Sequence, residues 1–90
     1  MKITCDPAKR EWTLAKRGLD FLRATEIFSG EQYTRQDMRE EYGESRFITI
    51  GILDNRMVVL VWTPRGNARH IISLRKANER EQTRYQSHLD

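Results

Sequence analysis

The sequence predicts an α+β protein with an N-terminal helical hairpin packed on a four-stranded, mainly antiparallel sheet, and a charged C-terminal helix. Three observations support this fold class. The apolar run 57–62 has the length and Val content of a strand buried on both faces. Segment 69–76 alternates with the period of a strand. The first thirty residues instead carry helix-start and helix-stop signals. Ninety residues have room for a single domain, 1–90.

The N-terminal segment is predicted to form a short edge strand, 2–5, and then two helices. Asp6 can cap the first helix, with Pro7 at its first position. Gly18 can supply a left-handed C-terminal cap, and Asp20 can cap the second helix. Each helix has an apolar face expected in the core, formed by Ala8, Trp12 and Ala15 in the first and by Phe21, Ala24, Thr25 and Phe28 in the second.

The middle of the chain is predicted to add two strands and a hairpin turn. Segment 32–36 is expected to be a short strand followed by a charged loop. Segment 46–53 alternates isoleucine with other residues, as a strand does. Asp54-Asn55 has the composition of a two-residue hairpin turn into the central strand. Near the C terminus, Asn78 and Glu81 form a capping-box pattern at the start of a charged helix.

The stretch from Asn55 to Asn78 is strongly basic. It contains five Lys or Arg and no acidic residue, whereas the whole chain has 16 basic and 13 acidic residues, leaving 11 and 13 elsewhere. A turn at 63–67 divides it. By strand parity, His70 shares a face with Ile72 and Leu74, and the other face presents Arg69, Ile71, Ser73 and Arg75. The charge favours a polyanionic partner. The alternative is that these cations only keep exposed strand faces soluble.

Several classes of protein are not indicated. Residues 1–16 lack the apolar core of a signal peptide, and no apolar run reaches the length of a membrane span. Cys5 is the single cysteine, so we expect a cytoplasmic protein without disulfides, away from the membrane. No metal-ligand spacing or Gly-rich phosphate loop is present, so neither a metal nor a cofactor is expected. The possible proton carriers are Glu44, His70, Glu79, Glu81 and Tyr85.

Such a residue set is sufficient for RNA cleavage. The ribose 2′-hydroxyl is an internal nucleophile already held beside the phosphorus. The protein must orient it, stabilise charge on the phosphoryl oxygens and assist proton transfer.

Several segments, in this order, resemble the BrnT family of toxins: D-P-A-K (6–9), K-R-G-L-D-F (16–21), A-T-E-I-F (24–28), Y-G-E-S-R (42–46), and R-H-I-I-S-L-R-K-A (69–77) followed by E-R-E-Q-T-R-Y (79–85). Members are the ribonuclease halves of bacterial type II toxin–antitoxin pairs, with a RelE-like fold. The resemblance implies metal-independent mRNA cleavage that arrests growth. It also implies neutralisation by a BrnA-like ribbon-helix-helix antitoxin, through which the toxin could dimerise. The complex would repress its own operon, so operator DNA would be bound only through the antitoxin.

Two positions depart from the family pattern. The family usually has Lys-His-Gly where this chain has Lys16-Arg17-Gly18, and Asn in place of Thr13. The change at Arg17 keeps positive charge but removes a group that exchanges a proton near neutral pH. His70 could replace it, although a strand histidine of this parity is also typical of packed positions.

The candidate site residues are therefore mainly cations. Arg46 matches the arginine of the family's G-E-x-R segment, and Arg69 and Arg75 are expected to share a strand face, where they could hold the scissile phosphate bidentately. Glu44 and His70 complete the catalytic candidates, although Glu44 could instead form a salt bridge with an Arg. RNA-binding residues are expected to be Lys16, Arg17, Arg65 and Lys76. Two other functions stay open: a non-enzymatic RNA- or DNA-binding module, and an interaction protein that receives an acidic or amphipathic partner.

Overall fold

The computed structural model describes residues 1–89, which form one five-stranded sheet and three α-helices. The elements in chain order are β1 (Lys2–Cys5), α1 (Pro7–Arg17), a 3-10 turn (Phe21–Arg23), α2 (Ala24–Ser29), β2 (Tyr33–Gln36), β3 (Phe47–Leu53), β4 (Arg56–Arg65), β5 (Ala68–Lys76) and α3 (Glu79–Leu89). No helix in these residues has the length and apolar character needed to cross a membrane.

The strand order is β1-β5-β4-β3-β2, and every pairing is antiparallel except that of β1 with β5. The α+β class and the mainly antiparallel sheet are therefore confirmed, with β4 at the centre. The number of strands was wrong, because β1 joins as a fifth. Its partner lies at the other end of the chain, with Lys2 opposite Ala68. No local hairpin signal marks a parallel pairing between distant segments.

Local capping chemistry begins and ends the elements largely where the sequence predicts. The Asp6 carboxylate accepts a hydrogen bond from Ala8 N at 3.1 Å, and Gly18 closes α1 with φ 70°. Asp20 accepts from Leu22 N at 3.0 Å, but the chain there forms a 3-10 turn before the six-residue α2. The second arm of the helical hairpin is thus shorter and less regular than expected. The Asp20 cap stabilises the 3-10 turn with which this arm begins, and the regular helix starts only at Ala24.

Two further turn signals are also confirmed, and one is displaced. Asp54 and Asn55 adopt φ 52° and 63°, the left-handed pair that a two-residue hairpin requires. Asn78 and Glu81 form a reciprocal capping box, with bonds of 2.8 and 2.9 Å. The turn expected over 63–67 is tighter, since β4 extends to Arg65 and β5 begins at Ala68.

One side of the sheet, here called the α2 face, carries the main hydrophobic core. Leu60, Ile71 and Leu74 are completely or almost completely buried there against Phe21 and Ile27. A Cβ atom at Gly51 would lie 2.6 Å from Ile27 Cγ2, so α2 approaches the β3 backbone as closely as glycine allows. Trp62, which is 8% exposed, also belongs to this core, as predicted. Its Nε1 donates to Thr49 Oγ1 at 2.8 Å.

The opposite side, the α3 face, is only partly covered. Helix α3 contributes Tyr85 and Leu89 to a smaller cluster with Ile48, Ile50, Met57, Val59 and Ala77. The Tyr33 ring on β2 lies 5.7 Å from the Tyr85 ring and 4.3 Å from the His88 ring. These contacts fix α3 over one end of the sheet, and the cleft described below opens beside it.

A β-bulge in β5 changes which side chains share a face. Val61 pairs with Ser73 and Trp62 with Ile71, so Ile72 is an extra residue without a partner on β4. Beyond it the alternation is reversed. Leu74 therefore joins Ile71 on the α2 face, whereas Arg75 and Ser73 lie on the α3 face. The expectation that Arg69 and Arg75 share a face was wrong for this reason, as was the alignment of His70 with Leu74.

Helix α1 lies along the edge of β5 that β1 leaves unpaired beyond Ile71. Arg17 Nη1 donates to the exposed carbonyl of Leu74 at 3.0 Å. The buried residue of α1 is Thr13, which is 3% exposed. The predicted apolar face, Ala8, Trp12 and Ala15, is exposed instead, with Trp12 52% exposed. The helix therefore faces the sheet with Thr13 and with Arg17, which satisfies a carbonyl at the strand edge.

Candidate active site

The uncovered part of the α3 face is a cleft of about 230 Å³ with an apolar floor and a cationic rim. Strands β3 and β4 form the floor with Ile48, Ile50, Val59 and Val61. The rim consists of Arg35, Arg39, Ser73, Arg75, Glu81 and Tyr85. Floor and rim together are called the arginine cleft. Register explains the arrangement, because Arg35 pairs with Ile48 and Arg75 pairs with Val59. Basic side chains thus stand at both edges of an apolar strip.

Arg75 is held in place from the start of α3. Its Nη1 and Nη2 donate to the two carboxylate oxygens of Glu81 at 2.7 and 2.8 Å. The Arg75 guanidinium keeps the pKa of Glu81 at about 2, well below its ordinary value, so the pair is ionised at neutral pH. The same carboxylate caps α3 by accepting from Asn78 N. The pairing fixes the guanidinium plane while leaving other N–H groups of Arg75 for a ligand.

Arg39 is paired, but Arg35 is not. Arg39 Nε and Nη2 donate to the buried Asp37 carboxylate at 2.9 and 2.8 Å, and this contact holds the pKa of Asp37 well below its usual range. Tyr42 also donates to Asp37, at 3.1 Å. Arg35 makes no ion pair with any residue of 1–89 and is exposed at the cleft. Sequence reasoning missed both arginines. Strand parity in 33–36 would identify Arg35 once the register against β3 is known.

A second group, the Glu44 cluster, lies where β4 and β5 meet the loop before β3. It consists of Glu44, Arg46, Arg65 and His70. The Glu44 carboxylate is 3.5 Å from Arg65 Nη2 and 4.0 Å from Arg46 Nε, so the salt-bridge alternative for Glu44 is the geometry found. The Arg46 guanidinium stacks 4.0 Å above the Tyr42 ring.

Arg46 Nε is a buried donor without a hydrogen-bond partner within residues 1–89. Buried N–H groups are nearly always paired, because leaving one unpaired costs about 1–3 kcal/mol. The Glu44 carboxylate lies 4.0 Å away, too far for a hydrogen bond, so either a small movement of Glu44 or a phosphate that displaces the groups covering Arg46 would satisfy the donor. Among the side chains of residues 1–89, this unsatisfied donor makes Arg46 a candidate for phosphate binding.

His70 lies on the α3 face, paired across the sheet with Thr63. Its Nδ1 is 2.8 Å from Thr4 Oγ1 of β1, which orients the ring. Burial lowers the pKa of His70, and the charges of Arg65 and Lys9 lower it further, partly opposed by Glu44 and Asp6. This shift favours the neutral imidazole, the form that can accept a proton.

The two groups lie on one face but do not converge on a single point. His70 pairs with Thr63 and Arg75 pairs with Val59, four residues apart on β4, or about 13 Å. The span between them is floored by Val61 and edged by Ser73. This separation is too large for one phosphate to contact both groups, and it suits two phosphates of one extended strand that are not directly adjacent.

Four of the predicted site residues lie elsewhere. Arg69 is on the α2 face, with its guanidinium 4.3 Å above Phe28 and 4.6 Å above Trp62. Lys76 pairs with Val58, a residue of the α2-face core, so its side chain also lies on the α2 face, away from the cleft. The bulge at Ile72 separates Arg69 from the cleft, whereas Lys76 faces away because it directly follows Arg75 in the strand. Lys16 and Arg17 end α1 at the edge of β5, where Arg17 stacks 5.1 Å from the Trp12 ring centre.

The family of the chain follows from comparison with known proteins. No individual curated protein matches the chain. The family model described as "Ribonuclease toxin, BrnT, of type II toxin-antitoxin system" matches residues 5–81, from β1 to the Glu81 that pairs with Arg75. The match covers most of the chain, and of the residues in the two groups of the candidate site only Tyr85 lies beyond it. The chain therefore belongs to the BrnT family of ribonuclease toxins from type II toxin–antitoxin systems.

Proposed function

We propose that this protein is an endoribonuclease that cleaves mRNA on the α3 face of its sheet, with the ribose 2′-hydroxyl as nucleophile. The observation that carries the proposal is the presence of the unsatisfied Arg46 donor and of His70, oriented by Thr4, on a face lined by Arg35 and Arg75. Donors and a proton acceptor of this kind are what phosphodiester cleavage by an internal nucleophile requires.

The reaction assigns one role to each group. Arg46 binds a non-bridging oxygen of the scissile phosphate and stabilises the charge that develops there. His70 accepts the 2′-hydroxyl proton as the O2′–P bond forms. The P–O5′ bond breaks, and the leaving oxygen takes a proton from solvent. Arg35 and Arg75 bind another phosphate of the same strand across the cleft. Glu44 lies between two guanidinium groups, so we assign it to positioning Arg46 and not to proton transfer.

Cleavage is proposed to be independent of metal ions. Within residues 1–89, no group of three His, Cys, Asp or Glu side chains is arranged to hold a metal ion. Cleavage should persist in EDTA and leave a 2′,3′-cyclic phosphate or its 3′-phosphate hydrolysis product. Ends bearing a 5′-phosphate and a 3′-hydroxyl would show that water is the nucleophile and would overturn the mechanism.

The site assignment is tested with Arg46→Ala and His70→Ala, using a 5′-labelled single-stranded mRNA fragment. Loss of one preorganised donor typically costs about 10²–10³-fold in rate, and we expect that for Arg46→Ala. Arg46→Lys should also cleave poorly, since a point charge does not reproduce the planar fork. Thermal melts must show that each variant folds. Folded Arg46→Ala and His70→Ala proteins that cleave like the wild type would refute the assignment.

The family name implies an antitoxin, and we propose that it is a BrnA-like ribbon-helix-helix protein. The toxin would arrest growth when produced alone, dimerise through the antitoxin, and reach operator DNA only in that complex. Co-production of the antitoxin should restore growth and block RNA cleavage in vitro. An operator fragment should be retarded by the complex and not by the toxin alone; retardation by the free toxin would contradict this part of the proposal.

A further inference from the structure

A second cavity, of about 250 Å³, lies between α1 and the edge of β5. It is lined by Lys9, Trp12, Thr13, Arg17, Ile72 and Ser73. Its volume is below the roughly 300–1,000 Å³ of pockets that enclose a complete small-molecule ligand. A single ring system therefore fits its size better than a whole ligand.

The most prominent wall of this cavity is Trp12. Its side chain is 52% exposed, although it lies with Ala8 and Ala15 on the apolar face of α1. Arg17 lies 5.1 Å from the indole centre and is itself bonded to Leu74 O at 3.0 Å. The indole thus rests against a guanidinium that the sheet edge holds in place. An exposed indole with this support is a ready stacking surface.

The cavity adjoins the arginine cleft at Ser73, which lines both. The bulge at Ile72 produces this arrangement, because it places Ile72 in the new cavity and Ser73 on the α3 face. Lys9 and Arg17 add two positive charges at the rim, and Lys9 makes no ion pair with residues 1–89. A strand of RNA leaving the cleft past Ser73 would meet cations and an aromatic ring.

We propose that this cavity, the Trp12 pocket, binds one unpaired base of the RNA substrate by stacking on the indole. Lys9 and Arg17 would neutralise the phosphate attached to that base. The proposal rests on the proposed ribonuclease function and adds a subsite to it. A nucleobase fits better than a protein partner, because a stable protein interface buries about 1,200–2,000 Å² and the pocket is a small, cation-rimmed recess.

Binding is tested with a short single-stranded RNA of mixed sequence carrying 2′-O-methyl groups, which remove the nucleophile and prevent cleavage. Trp12→Ala should bind it roughly 5- to 150-fold more weakly, the range expected for one lost base-stacking contact. Trp12→Phe should retain most of the affinity, since it keeps an aromatic face. Leu14→Ala is the matched control, because Leu14 is on the same helix, is 46% exposed and does not line the pocket; it should bind like the wild type.

A second probe, a ribose–phosphate chain of the same length without bases, separates stacking from charge. It should bind wild type and Trp12→Ala equally. If Trp12→Ala binds the complete RNA as tightly as Leu14→Ala, or loses affinity for the abasic chain to the same extent, the base pocket is refuted. Those outcomes leave cleavage by Arg46 and His70 unaffected. Absence of cleavage by wild-type protein, with the Trp12 effect on binding present, would instead refute the proposed function alone.

Discussion

The two faces of the sheet are built from the same strands and have opposite properties. On the α2 face, Leu60, Ile71 and Leu74 are sealed under α2 and the 3-10 turn, with exposures of 0–1%. On the α3 face, alternate residues of those strands form an apolar strip that α3 covers at only one end. The α2 face has the packing of a core, where each buried apolar side chain contributes about 1.5–3 kcal/mol.

Arginine shows the contrast best. Arg69 on the α2 face lies flat on Phe28 and Trp62, where its stem and guanidinium cover the core. Arg46 on the other side keeps a buried donor unsatisfied, at an energetic cost that packing of the α2 face offsets. The comparison shows a division between the faces. The α2 face supplies the stability of the fold, and the α3 face retains an unpaired donor, Arg46 Nε, that suits a ligand. The predictions that follow test this division.

The largest expected effect is on the α2 face. Trp62→Ala should lower the free energy of unfolding by about 3–5 kcal/mol, because it removes a buried indole, its contacts with Phe28 and Phe47, and its hydrogen bond to Thr49. Trp12→Ala, at an exposed position, should change it by only about 0.5 kcal/mol or less. Urea titrations of the two variants give both values. Equal losses would show that α1 packs by its apolar face after all.

An intermediate effect is expected at the Arg75–Glu81 pair, which connects α3 to the arginine cleft. The pKa values of Glu81 and Asp20 are both about 2, lowered chiefly by hydrogen bonds from Arg75 and Arg10, against ordinary values of 4.5 and 3.8. Carboxylates with depressed pKa values stabilise the fold above their ordinary pKa. That contribution is lost as pH falls from about 4.5 towards 2.

Glu81→Gln should therefore destabilise the protein by about 1–3 kcal/mol at pH 7 and reduce the dependence of stability on pH in this window. Asp20→Asn is the matched variant on the other side of the sheet, with the same exposed fraction, 22%, and a similar cap. Only Glu81→Gln should also weaken RNA cleavage, since it releases Arg75. Similar losses of cleavage in both variants would mean that stability alone controls activity.

The smallest expected effect on cleavage is at the basic residues of the α2 face. Arg69→Ala and Lys76→Ala should leave the rate of RNA cleavage unchanged, because both side chains lie across the sheet from the cleft. Arg69→Ala should still cost about 0.5–2 kcal/mol of stability through its lost cation–π contacts. Rate measurements beside Arg46→Ala provide the comparison. Strong loss of cleavage in a folded Lys76→Ala protein would indicate that the RNA binds on the α2 face, and would contradict the proposed site.

Interactions between residues close in sequence were predictable. The caps at Asp6 and Gly18, the Asp54-Asn55 turn and the Asn78–Glu81 box each depend on hydrogen bonds or dihedral preferences spanning a few residues. The sequence by itself therefore determined most element boundaries, the buried central strand and the basic character of the final hairpin. The order of its segments also identified the family.

The tertiary structure decided which residues meet. One unpaired residue at Ile72 moved Arg75 away from Arg69, and a one-residue shift transfers every later side chain to the other face. Trp12 is exposed because α1 lies against the edge of β5, where Arg17 bonds to the Leu74 carbonyl, and not against an apolar face of the sheet. Arg35 entered the cleft through the pairing of β2 with β3. These outcomes depend on register and docking between distant segments, which no local pattern of residues encodes.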